Sequence, residues 1–176
     1  MRLFFALWPD ADTKNQLAGV AAKLRLANLS RLVPADNFHL TLAFVGEVPS
    51  SRVPPLLAIG AMQRASRLRI SFDATDYWAK SQVVVAAAQK MPLALLKLWE
   101  QLHKDLALEA QPNSRAHVTL ARKVAQAPVL QAMSPIAWST SSFGLYRSET
   151  GGGQSAYTVV DTWPLLDETE IPLKTR

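Results

Sequence analysis

One four-residue pattern occurs twice in this chain, and it restricts the available folds more than any other feature. His39-Leu40-Thr41-Leu42 and His117-Val118-Thr119-Leu120 share the order His, aliphatic, Thr, Leu. Read as strands, whose side chains alternate between faces, each tetrad puts an imidazole and a hydroxyl on one face and two apolar groups on the other. With 10 Thr in 176 residues, the chance that two of the three His carry Thr two places on is on the order of 1%. The matching aliphatic and Leu positions lower it further. A single such tetrad would mean little, because a lone strand histidine is more often a hydrogen-bonded structural residue. The pair implies two related halves that each deliver the same two polar groups.

The surrounding sequence repeats in the same way. Leu17, Val20, Ala21 and Leu24 recur at helical spacing, which predicts a helix from a cap at Asp12 or Thr13 to about Leu29. Leu95, Leu98 or Trp99, Leu102 and Leu106 predict another over 92–108. Each precedes a tetrad strand, the first over 38–45 and closed by Gly46, the second over 116–122. Residues 2–8 read as a buried opening strand, and Pro54 and Pro55 suit the first turn of a helix over 53–65. Stretches 68–79 and 82–88 read as two strands joined by a polar turn. Stretches 137–146 and 156–163 read as a hairpin whose loop holds Gly151-Gly152-Gly153. Hairpin-paired strands beside segregated helices predict an α+β domain spanning 1–176.

Composition removes whole classes of chemistry. No Cys is present, so disulfides, thiolate metal sites and cysteine nucleophiles are excluded. Two His with two Thr make a poor metal site, and neither a Gly-x-Ser-x-Gly elbow nor a phosphate-binding Gly-rich loop followed by Lys occurs. The net charge of +5 suits a polyanion such as RNA or DNA, but many unrelated proteins carry as much. No apolar run approaches the 18 or so residues of a membrane span, and the first ten residues are too short and too soon acidic for a secretion signal. A cytoplasmic protein with no membrane partner is expected. Two imidazoles facing each other suit concerted acid–base work near neutral pH, and the two hydroxyls suit non-bridging phosphate oxygens. That combination fits attack on a phosphodiester with no metal or cofactor.

These residues resemble a known family, the two-histidine (2H) phosphoesterases, in the branch of bacterial and archaeal RNA 2′,3′-cyclic phosphodiesterases, also called 2′-5′ RNA ligases. The likeness runs from Arg2-Leu3-Phe4-Phe5-Ala6-Leu7 through the stretch around His39, on to His117-Val118-Thr119-Leu120-Ala121-Arg122, and ends at Leu145-Tyr146 through Tyr157. It implies a bilobal α+β fold with pseudo-two-fold related lobes. Antiparallel sheets would line a central groove, with helices packed outside. It also implies hydrolysis of RNA 2′,3′-cyclic phosphate ends, such as those of tRNA fragments, to a 2′-phosphate by a monomeric enzyme, with 2′-5′ joining as the reverse use of the site. By the same resemblance His39 matches the proton donor, His117 the proton acceptor, Thr41 and Thr119 the phosphate-oxygen binders, and Arg122 a basic residue near the phosphate. Relatives often carry Pro just before the second His, where this chain has Arg115-Ala116, which adds a cation at the groove's rim.

Other residues carry weaker signals. Phe5, Phe143 and Tyr157 are candidates to stack on a base, with core packing as the competing role. His103 reads as a solvated helix position beside Lys104 and Asp105, and Arg31, Lys80, Arg115, Lys123 and Arg147 as rim or surface charges. The alternatives are an RNA-binding module with a non-catalytic groove, or a related activity on 2′-5′ oligonucleotides or small cyclic nucleotides.

Overall fold

The computed structural model describes residues 1–24, 26, 30–109, 115–151 and 154–167. In chain order these form β1 (Arg2–Leu7), α1 (Ala11–Ala22), β2 (Arg31–Leu32), β3 (Leu40–Glu47), α2 (Val53–Met62), β4 (Leu68–Phe72) and β5 (Ala74–Trp78). Then follow β6 (Val83–Ala87), α3 (Leu93–Asp105), β7 (His117–Arg122), β8 (Ile136–Thr140), β9 (Ser142–Gly151) and β10 (Gln154–Pro164). Two four-stranded antiparallel sheets are built in the orders β10-β9-β1-β3 and β2-β7-β6-β5, with β4 and β8 as a separate pair. The fold is α+β, as the strand and helix pattern predicts.

The sequence repeat is a topological repeat. In the first half, β1 and β3 are antiparallel neighbours with α1 between them in the chain; in the second, β6 and β7 are antiparallel neighbours with α3 between them. The helices then exchange partners. α1 packs against β7 and β8, and α3 packs against β3, so each tetrad strand is backed by the other half's helix.

Local chemistry sets the element ends. The N-cap of α1 is Asp10, whose carboxylate accepts the Thr13 N–H at 2.7 Å, ahead of the predicted Asp12 or Thr13. Thr13 is itself 2% exposed and belongs to the buried face with Leu17 and Ala21. The helix stops at Ala22; part of its predicted extension (25 and 27–29) lies outside the described residues, as do Gly152 and Gly153 of the hairpin loop. α2 carries its prolines in the first turn, and Gly60 is needed there because a Cβ would come within 2.3 Å of the Trp163 ring.

Two predicted strands are each divided. The run 68–79 becomes β4, paired with β8, and β5, paired with β6 in a different sheet, separated by Asp73. The Asp73 carboxylate accepts the Gln89 N–H at 2.9 Å at this break. The run 137–146 likewise divides between β8 and β9. Alternating apolar residues report a strand but not which sheet it joins, so a chain that changes sheets leaves the pattern unbroken.

β1 is buried on both faces, from Leu3 to Leu7. One side, with Leu3, Phe5 and Leu7, enters the main core; Phe4 and Ala6 on the other pack with Tyr146, Trp8 and Tyr157.

Candidate active site

The predicted alternation holds residue for residue. Leu40, Leu42, Val118 and Leu120 are buried, whereas His39, Thr41, His117 and Thr119 are half-buried on the opposite side of their strands. β3 lies against β7, Thr41 and His117 line one cavity, and His117 acts electrostatically on His39.

Both imidazoles are held in the same way. His39 Nδ1 is 2.7 Å from the Asn37 carbonyl, and His117 Nδ1 is 2.7 Å from the Arg115 carbonyl, each two residues upstream. A carbonyl only accepts, so Nδ1 carries the proton and Nε2 keeps its lone pair in the neutral ring. The Asn37 amide in turn donates to the Ser155 carbonyl of β10 at 2.8 Å, pinning the turn that aims His39.

Electrostatics place Arg122 with both rings. Burial pushes the His39 imidazole down to about 4, against the raising effect of its Asn37 contact, and Arg122 and His117 push the same way. Burial also lowers His117, opposed by its contact with the Arg115 carbonyl, and the charges of Arg115 and Arg122 add to the lowering. In the free protein both rings are therefore neutral near pH 7. An anion arriving beside Arg122 removes part of the cost of protonating one of them.

Each histidine also has a tryptophan. Trp8 stacks on His39 at 5.2 Å with 13° between planes, while Phe4 at 5.0 Å and Tyr157 edge-on at 5.0 Å complete the surround. Trp78 lies 4.4 Å from His117, and its indole N–H donates to the Asp76 carboxylate at 3.2 Å. Asp76 also holds Arg115 at 2.8 Å, so the cation expected at the rim is paired.

Among the sequence candidates, Tyr157 reaches the site, whereas Phe143 is buried against Trp163 at 5.3 Å and Phe5 is turned away as well. Phe5 is fully buried and packs on Trp163 at 5.9 Å, because strand alternation turns it to the core and turns Phe4 toward His39. Trp8 and Trp78 were missed. The alternation Phe4, Ala6, Trp8 was a signal for the first; nothing local marked the second. His103 is not a solvated position. It is 9% exposed, with Nε2 3.0 Å from the Leu42 carbonyl and 2.6 Å from Trp99 Nε1, because α3 packs on β3. Arg147 pairs with Glu149, Lys80 and Lys123 are exposed, and Arg31 sits opposite Arg122 in the β2–β7 register. Among the described residues, no three His, Asp or Glu gather into a metal-binding group.

The family model for LigT like Phosphoesterase matches residues 7–85, which includes the first tetrad. The RNA 2′,3′-cyclic phosphodiesterase of Thermus thermophilus is 32% identical over 184 residues, covering 96% of this chain and 92% of that one. The chain belongs to the LigT-like phosphoesterase family. The Escherichia coli (strain K12) protein named RNA 2′,3′-cyclic phosphodiesterase is 29% identical over 170 residues, covering 93% of this chain and 96% of its own. The fold agrees with that of another LigT-like phosphoesterase, E. coli LigT complexed with 3′-AMP. Its crystal structure matches with a TM-score of 0.82 and 30% identity over 93% of this chain and 97% of that one. No helix of this LigT-like phosphoesterase is long and apolar enough to cross a membrane, among the described residues.

Proposed function

We propose that this protein hydrolyses RNA 2′,3′-cyclic phosphate ends to 2′-phosphates by acid–base catalysis between His39 and His117. The observation that carries the reading is the matched pair of imidazoles, each fixed through Nδ1 to a main-chain carbonyl at 2.7 Å, with Arg122 acting on both. The family and the relatives named RNA 2′,3′-cyclic phosphodiesterase support the reaction and the RNA substrate. The complex of E. coli LigT with 3′-AMP supports a groove that accepts a nucleoside phosphate.

Water attacks phosphorus and gives its proton to His117 Nε2 as the phosphorus–oxygen bond forms. The bond from phosphorus to the 3′ oxygen breaks, and His39 Nε2 protonates that oxygen, leaving a 2′-phosphate and a 3′-hydroxyl. Proton exchange with solvent restores both rings. The Thr41 and Thr119 hydroxyls donate to non-bridging oxygens, and the Arg122 guanidinium adds charge-assisted hydrogen bonds. The substrate anion offsets the burial and Arg122 charge that keep His39 neutral in the free protein. Trp8 and Tyr157 hold the His39 ring. An RNA 5′-hydroxyl in place of water would leave a 2′-5′ bond. The reading takes the chain as one domain of two interlocked halves, acting as a cytoplasmic monomer on cleaved RNA such as tRNA fragments.

An oligonucleotide ending in a 2′,3′-cyclic phosphate tests this. A 2′-phosphate product is expected; a 3′-phosphate would exchange the leaving group. His39→Ala and His117→Ala should each lower kcat by at least about 100-fold, and full activity in either folded variant defeats the assignment.

A further inference from the structure

The two tetrad strands aim their imidazoles alike, but the carbonyls that hold the two rings are secured differently. The Asn37 carbonyl, on His39, belongs to a single helical turn, Ala35–Asn37, in which the Asn37 N–H is bonded to Pro34 and the Asn37 side chain is tied to β10. The Arg115 carbonyl, on His117, lies ahead of β7 and outside it. Ala116, between them, has no ring to set its φ. The ladder to β6 begins with His117 opposite Ala87 and the Ala88 N–H on the Ala116 carbonyl at 2.9 Å. Residue 115 is joined to the sheet by its side chain, whose guanidinium meets the Asp76 carboxylate of β5 at 2.8 Å.

Asp76 is placed for this contact. It stands opposite Val85, which stands opposite Thr119, so Asp76, Trp78, His117 and Thr119 share one face of the sheet. Its Oδ1 accepts the Tyr77 N–H at 2.8 Å, which fixes the carboxylate on its own strand. Its Oδ2 accepts from both the Arg115 guanidinium and, at 3.2 Å, the Trp78 indole. One oxygen therefore holds the residue whose carbonyl meets His117 Nδ1 and the ring that lies 4.4 Å from the imidazole.

We infer that Asp76 is a positioning residue: through Arg115 and Trp78 it fixes the tautomer and orientation of His117 for proton transfer at Nε2. The inference rests on the phosphodiesterase reading, in which His117 Nε2 takes the proton of water, and adds what keeps that nitrogen unprotonated. The partner of one ring nitrogen decides which of the two carries the proton. An imidazole released from its carbonyl favours the opposite tautomer, with Nε2 protonated and no lone pair to offer there.

Two readouts test this. Long-range ¹H–¹⁵N spectra of the imidazole nitrogens at neutral pH report the tautomer of each ring. Wild-type protein should show Nδ1–H at both His39 and His117. In Asp76→Ala, His117 should acquire the Nε2–H form while His39, held by a different turn, keeps its own. On an oligonucleotide ending in a 2′,3′-cyclic phosphate, Asp76→Ala should lower kcat by about 10- to 100-fold, the scale for a group that orients a histidine, with little change in KM. Arg115→Ala removes the ion pair and leaves Trp78 on Asp76, so it should give a smaller loss of the same kind; it also covers the case of an Asp76→Ala protein that does not fold. Arg115→Lys, which keeps the charge pair, should recover part of that loss. The double variant should lose no more than Asp76→Ala alone, because both substitutions break one network. An unchanged His117 tautomer in the folded variants would overturn the inference. So would a raised KM at unchanged kcat in Arg115→Ala, which would make Arg115 a substrate contact. Tautomer spectra need no turnover, so a protein that shows the expected change at His117 yet opens no cyclic phosphate defeats the phosphodiesterase reading alone.

Discussion

At the scale of single residues, the site consists of two imidazoles placed where protonation is unfavourable. His39 is displaced downward to about 4 and His117 in the same direction, both chiefly by burial. The proposed mechanism takes one ring protonated and the other neutral for the first chemical step, so the maximum of kcat/KM, which reports the free protein, should lie below pH 6.5. The kcat profile should extend to higher pH, because bound phosphate raises the proton donor. Rates measured from pH 4 to 9 on a cyclic-phosphate oligonucleotide check this, and coincident profiles would remove the role given to substrate charge. The same shift affects stability. The unfolded chain binds a proton at His39 near 6.5 and the folded protein only near 4, so stability is full above pH 6.5 and falls as pH drops toward 4. The fall is roughly 3 kcal/mol from this group. Urea titrations at pH 7 and 4.5 should show the loss in wild-type protein and a smaller one in His39→Gln.

At the scale of elements, the strands bearing the site were the most legible part of the sequence. His39, Thr41, His117 and Thr119 fell on one face because a period of two allows no other arrangement once their aliphatic neighbours are buried. Helix caps and sheet membership were not legible. Asp10 caps α1 in place of Asp12, and the run 68–79 serves two sheets, since neither cap choice nor strand partner leaves a mark in local hydrophobicity. His103 shows the same limit. Its polar neighbours in sequence suggested solvent, yet the packing of α3 on β3 puts it against the Leu42 carbonyl, one residue from Thr41. His103→Leu leaves the Trp99 indole N–H, which donates to His103 Nε2 at 2.6 Å, without its acceptor and should cost about 1–3 kcal/mol, read by denaturant unfolding. His103→Gln, which keeps an acceptor, should recover part of it.

At the scale of the whole molecule, the halves are interlocked. α1 packs on β7 and β8 of the second half, α3 packs on β3 of the first, and β9 pairs with β1 across roughly 140 residues of chain. Neither half can bury its apolar surface alone. Fragments 1–62 and 63–176 expressed separately should show no cooperative unfolding, and mixing them should restore it together with activity. A fragment that unfolds cooperatively by itself would show that the halves are independent.

The sequence by itself determined the repeat, the two polar faces and the catalytic chemistry they allow, because strand alternation and residue type are local properties. It also placed the protein in its family. Only the tertiary structure decided what surrounds each imidazole. Phe4 in place of Phe5, Trp8 and Trp78 at the two rings, His103 against the Leu42 carbonyl and the cavity beside His117 all arise from contacts between segments far apart in the chain. Burial, and with it the displaced proton affinities, follows from which distant surfaces close over a side chain, and no window of neighbouring residues contains that information.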